Sequence, residues 1–98
     1  MLLHTVNKSP TADIALDSCL RAAQPNSKLL LLGDGIYAAL AGSAWMEKIS
    51  AHGLDVYALS DDVDARGMSD KLDPSICLVD YPGFVALSVE CHAVQSWY

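Results

Sequence analysis

Basic residues are scarce in this 98-residue chain: six Lys and Arg stand against twelve Asp and Glu, giving a net charge of −6. They form no cluster, which argues against direct grip on a phosphate backbone and against nucleic acid as an immediate ligand. Cysteine is limited to Cys19, Cys77 and Cys91. An odd number at wide spacing, with no C-x-x-C pair and no Cys/His grouping suited to zinc, reads as free thiols in a reducing compartment. Long uncharged runs are also missing. The longest, Gly35 to Met46, is too short to span a bilayer, and the opening MLLHTVNKSP has neither the basic nor the apolar segment of a signal peptide. A cytoplasmic location without membrane contact is expected. No repeat, low-complexity tract or linker interrupts the chain, so residues 1–98 are expected to form one domain.

What is present is apolar: 52% of residues, with 18% charged and four prolines, a composition that excludes disorder. A chain of this length buries only about two-thirds of its unfolded surface, so a partner surface would add to its stability. Leu2 to Val6 is β-prone and breaks at Asn7-Lys8-Ser9-Pro10, where Ser9 is placed to cap a helix and Pro10 to occupy its first turn. From Pro10 to Ala23, Ala12, Ala15, Leu16, Cys19, Leu20, Ala22 and Ala23 share one helical face; Ile14 alone falls on the other. Lys28 to Leu32 carries four consecutive leucines, the pattern of a strand buried on both faces in a parallel sheet.

Gly33-Asp34-Gly35 ends that strand and opens a helix expected over Ile36 to Ala51, closed by His52-Gly53. A third strand is expected over Leu54 to Leu59, then a brief helix from Ser60-Asp61-Asp62 to Arg66-Gly67. A fourth strand over Ser75 to Val79 and a helix over Phe84 to His92 follow. The tail from Ala93 is too short for a further crossover and reads as an edge strand or a docking segment. Strands alternating with helices imply right-handed βαβ crossovers and a three-layer α/β domain. Its sheet is expected to be mostly parallel, with four to five strands, in the Rossmann or flavodoxin-like manner. Functional groups then belong at the carboxyl ends of the strands: Asn7 to Pro10, Gly33 to Gly35, Ser60 to Asp62 and Asp80 to Gly83.

The Gly33-Asp34-Gly35 turn lacks G-x-G-x-x-G and a Walker lysine, and its acid opposes phosphate, so no nucleotide or other cofactor is expected. Asp34 reads as a helix cap between turn glycines, or else as a functional acid. Cys19 carries the most chemical potential, because a thiolate can accept sulfane sulfur as a persulfide and pass it to another thiolate. Its place on the apolar stripe equally suits a small buried hydrophobe. Cys77, inside an apolar strand, and Cys91, on a stripe with Phe84 and Leu87, read as core. His4 alternates with Leu2 and Val6 and reads as a hydrogen-bonded structural histidine, whereas His52 and His92 suit helix ends. Tyr37, Trp45, Trp97 and Tyr98 are a large aromatic share for an acidic domain and are candidate interface residues.

Six blocks resemble, in order, the DsrH/TusB family of sulfur-relay proteins: Leu3 to Pro10, Asp34 to Leu40, Val56 to Leu59, Ala65-Arg66-Gly67, Val79 to Val85 and Gln95-Ser96-Trp97. The resemblance implies a DsrE/F/H-like fold. It also implies a place as the smallest subunit of a heterohexamer with DsrE/TusD-like and DsrF/TusC-like subunits, passing persulfide sulfur to a small TusE/DsrC-like acceptor. The sulfur serves 2-thiolation of the tRNA wobble uridine in the TusB type and dissimilatory sulfur oxidation in the DsrH type. An acidic subunit would meet tRNA only indirectly. Cys19 matches the first-helix cysteine of the DsrH type, a candidate persulfide carrier that TusB types commonly lack. Gly33 departs from the Glu or Gln often found before Asp34 in the family, which puts in doubt any role needing a polar side chain there. The alternative is a structural subunit whose cysteines carry no sulfur; a free-standing nucleotide or flavin module is weaker for want of a phosphate loop. Apolar area on the Gly35 to Met46 segment and the aromatic tail is expected to face companion subunits.

Overall fold

The computed structural model describes residues 1–97. Five strands, β1 (Leu2–Val6), β2 (Lys28–Leu31), β3 (Asp55–Leu59), β4 (Cys77–Val79) and β5 (Ala93–Trp97), form one sheet in the order β4-β3-β2-β1-β5. Every pairing is parallel. Between them run α1 (Ala15–Ala22), a 3₁₀ helix (Gly33–Ala39), α2 (Ala44–Ala51), α3 (Ser60–Ala65) and α4 (Tyr81–Glu90). The first three crossovers step away from β1 in one direction. The fourth returns across the sheet to β1's other edge. Right-handed connection therefore puts α4 on one face and all the other helices on the opposite face.

The burial pattern follows this division. Val6, Leu29, Leu31, Val56 and Ala58 pack against Leu16, Cys19, Leu20, Ile36, Met46, Ile49 and Val63 in the larger core. The alternate strand positions Leu3 and Leu30 meet Leu87 and Cys91 of α4 in a smaller one, with Tyr57, Val79 and Phe84 beside them. Central β2 is buried along its whole length, as its leucine run requires. Burial of each such leucine side chain contributes about 1.5–3 kcal/mol.

Several boundaries differ from those expected. The first helix begins at Ala15, five residues late, because Ser9 closes a separate turn: its hydroxyl accepts from the Thr11 amide (3.4 Å) and its carbonyl from the amides of Ala12 (3.2 Å) and Asp13 (3.1 Å). Asp13 Oδ1 then accepts from the Ala15 amide at 2.9 Å. The expected long second helix is two pieces. Gly42, at φ +78°, breaks the path, and the Ser43 hydroxyl restarts it by accepting from the Met46 amide at 3.2 Å. The interrupted segment is secured by the Ala41 amide on the Lys71 carbonyl and the Asp73 amide on the Ala39 carbonyl, both 2.9 Å.

The helix expected from Phe84 begins at Tyr81, where Asp80 Oδ1 accepts from the Gly83 amide at 2.8 Å. The tail is a strand, since α4 itself is the crossover that carries the chain back to β1. Asp34 does not cap; its carboxylate pairs with Arg66 instead. Gly35 is required for a separate reason: a Cβ there would collide with the Val6 carbonyl.

Candidate functional site

The carboxyl ends of β1, β2 and β3 open onto a groove of about 510 Å³. Ser9 and Pro10 form one bank, Tyr37 and Trp45 supply aromatic walls, and Arg66 and Lys71 stand at the rim. Of the expected loop regions only Asn7 to Pro10 lines it, joined by residues of and after the 3₁₀ helix and by residues after α3. Arg66 is held by three contacts: Nη2 and Nε donate to Asp34 Oδ1 at 3.0 and 3.3 Å, and Nη1 donates to the Asp62 carbonyl at 3.3 Å. Asp62 Oδ2 in turn accepts from the Gly33 amide at 2.7 Å. This chain of polar bonds ties the 3₁₀ helix to α3 and fixes the turn after β2.

Cys19 lies on the sheet-facing side of α1, 0% exposed, and burial pushes its thiol up to about 12. In this conformation it is neutral and out of reach of an incoming persulfide. Cys91 is also buried. The expectation of a buried Cys77 is corrected: its thiol is exposed. Its strand has three residues at the sheet's edge, and edge position is a property of topology that an apolar local sequence does not reveal.

His4 is buried, and its Nδ1 accepts from the Trp97 indole N–H at 3.0 Å, leaving Nε2 as the protonated nitrogen with no hydrogen-bond partner. Burial lowers its pKa below the usual imidazole value. This matches a structural histidine. His52 Nδ1 contacts the Lys48 carbonyl at 2.8 Å at the end of α2.

Of the four aromatic candidates, the three within the described residues lie in two places. Tyr37 is exposed and Trp45 half-buried at the groove. Trp97 packs against the larger core from β5, and Tyr98 lies outside the described residues. The expectation of exposed apolar area along Gly35 to Met46 holds at Tyr37 and Leu40 but not at Ile36, Ala38, Ala39 or Met46, which are buried.

Two features were not singled out from the sequence. Lys28 is only 7% exposed; its Nζ donates to the Tyr57 hydroxyl at 2.9 Å and sits 3.5 Å from Asp55 Oδ2. The Tyr57 bond leads the causes that raise its pKa. A lysine at the head of a leucine run was the available signal. The other feature is the outer face of α4, where Tyr81, Val85 and Val89 are exposed. Among the described residues no group of three or more His, Cys, Asp or Glu side chains is placed to hold a metal ion, and no helix is long and apolar enough to cross a membrane.

The family model described as DsrH like protein matches residues 8–94. The chain belongs to the DsrH family. This DsrH-family chain is 39% identical over 97 residues to Protein TusB of Pectobacterium parmentieri, covering 98% of this chain and 100% of that one. It is 40% identical to Protein TusB of Klebsiella pneumoniae at the same coverage. In fold it resembles the crystal structure of the ychN protein from E. coli, with a TM-score of 0.81 at 18% identity, covering 98% of this chain and 97% of that one. Membership of the DsrH family supports a sulfur-relay role for the chain.

Proposed function

We propose that this chain is a subunit of a sulfur-relay assembly that shapes the complex rather than carrying sulfur itself, acting in the cytoplasm as one DsrH/TusB-like domain over residues 1–98. Its companions are DsrE/TusD-like and DsrF/TusC-like subunits, and the sulfur passes as persulfide to a small TusE/DsrC-like acceptor. Full-length similarity to proteins named TusB favours the branch that 2-thiolates the tRNA wobble uridine over the sulfur-oxidation branch. tRNA is reached only through partners, in keeping with a net charge of −6.

The observation that carries the structural role is the burial of Cys19. Persulfide exchange requires a thiolate that another sulfur can approach in line, and a fully buried thiol pushed up to about 12 offers neither ionisation nor access. The contrary reading, Cys19 as carrier, requires α1 to lift from the sheet during transfer. Replacement of Cys19 by Ala in the intact assembly separates them. Thiolation of the wobble uridine is expected to persist in Cys19→Ala and to be lost when the whole chain is deleted. A Cys19→Ala protein that assembles normally yet no longer supports thiolation would overturn the structural role.

A further inference from the structure

The sheet is covered unequally. Three α-helices and the 3₁₀ helix lie over one face, whereas α4 alone lies over the other. Phe84, Leu87 and Cys91 turn inward from α4. Spaced by four residues on the opposite side, Tyr81, Val85 and Val89 are 55%, 60% and 81% exposed, and Val94 of β5 adds to the same side of the molecule. A helix that is apolar on both faces has the composition of one with protein on both sides. From Tyr81 through Val89 it carries no charged residue; acids stand at its two ends, Asp80 and Glu90, both exposed.

Charge selects among occupants. An anionic membrane would meet acids at both ends and no Lys or Arg on the helix, the reverse of an interfacial helix. A second copy of this chain fares little better. Antiparallel pairing of α4 with its symmetry mate sets Asp80 against Glu90 of the mate, and parallel pairing sets each acid against itself, between two molecules of net charge −6. Among the described residues the cation near this face, Lys28, is buried and engaged first by Tyr57 and Asp55, with Glu90 adding a weaker attraction.

We propose that the outer face of α4 seats a different protein subunit, one presenting an uncharged apolar patch bracketed by Lys or Arg side chains that meet Asp80 and Glu90. The inference rests on the assembly reading above and names the face through which the chain joins.

The full chain, produced together with its DsrE/TusD-like and DsrF/TusC-like companions, supplies the test, with assembly followed by light scattering and by titration. The paired variant Val85→Asp with Val89→Asp is expected to weaken assembly by at least about a hundredfold. Its thermal melt should stay unchanged, because both side chains project outward. Ile14→Asp, an exposed apolar residue just before α1, should leave assembly intact. Glu90→Lys should weaken assembly about tenfold at low salt, with the difference shrinking in about 1 M salt, and it decides the matter alone should the paired variant melt early. Assembly unaffected by either variant overturns the proposal by itself. Self-association of the wild-type chain that Val85→Asp abolishes assigns the face to a second copy and likewise overturns it. A wild-type chain that binds neither companion overturns the relay reading and this proposal together.

Discussion

The Trp97 indole N–H points at Nδ1 of His4, 3.0 Å away, and so fastens β5 to β1 by a side-chain bond in addition to the ladder. The same pair of strands is joined on the other face by the Thr5 hydroxyl donating to Ser96 at 3.1 Å. Truncation of Trp97 to Phe keeps most of the packing but leaves His4 with both ring nitrogens buried and unpaired. A loss of about 1–3 kcal/mol is expected, read by urea denaturation. A variant as stable as wild type would show that the bond contributes nothing.

The same histidine sets a pH dependence. Burial lowers its folded-state pKa below the ordinary imidazole value, so between the folded and unfolded values the unfolded chain binds the extra proton. Stability from this site is therefore complete above about pH 6.5 and declines as pH falls toward the lowered folded value. Protonation of Nδ1 also turns the Trp97 contact into donor against donor. Unfolding free energy measured from pH 7.5 to 5 should fall in wild type and fall less in His4→Phe. Equal slopes would rule out His4 as the source.

Gly35 and Gly42 should respond differently to alanine. At Gly35 the new methyl has no room beside the Val6 carbonyl, and a loss of more than about 3 kcal/mol, or failure to fold, is expected. At Gly42 nothing stands within 4 Å, but φ is +78°, so Gly42→Ala should cost only about 1 kcal/mol, the penalty of a left-handed backbone. Comparable thermal melts for the two variants would contradict this contrast.

Thiol reactivity should rank by access. Mass spectrometry of the native chain during brief alkylation should find Cys77 modified first, with Cys19 and Cys91 reacting only as the protein opens. Cys19 labelled as fast as Cys77 would mean that α1 lifts readily, which would strengthen the carrier reading.

The strands were legible because each announces itself locally. Leu29 to Leu31 needs no tertiary information to read as a buried parallel strand, and the glycines and acids after it punctuate the helices. Helix starts were less legible. Ser9 has the residue type of a cap, but a type does not reveal whether the amides it takes belong to a helix, and here its hydroxyl and carbonyl take those of Thr11, Ala12 and Asp13 in a turn before α1. The break at Gly42 depends on Ala39 and Ala41 finding partners at Asp73 and Lys71, about thirty residues away. Of the candidate site, the helical stripe predicted the face on which Cys19 sits, and the groove gathers Tyr37 and Trp45. Trp97 went elsewhere, since its neighbour His4 lies at the far end of the chain. Cys77 was read as core, and the outside of α4 was not singled out, because an apolar segment looks the same whether it meets its own domain or another molecule.

The pairing of β1 with both β2 and β5 also orders events during synthesis. Strand β2 can dock once residues 28–31 have left the ribosome, but the opposite edge of β1 must wait for residues 93–97, with the Met1 carbonyl receiving the His92 amide at 2.9 Å only then. Until that moment a nascent chain displays a bare row of amides and carbonyls on β1, the kind of edge that recruits chaperones or stray strands.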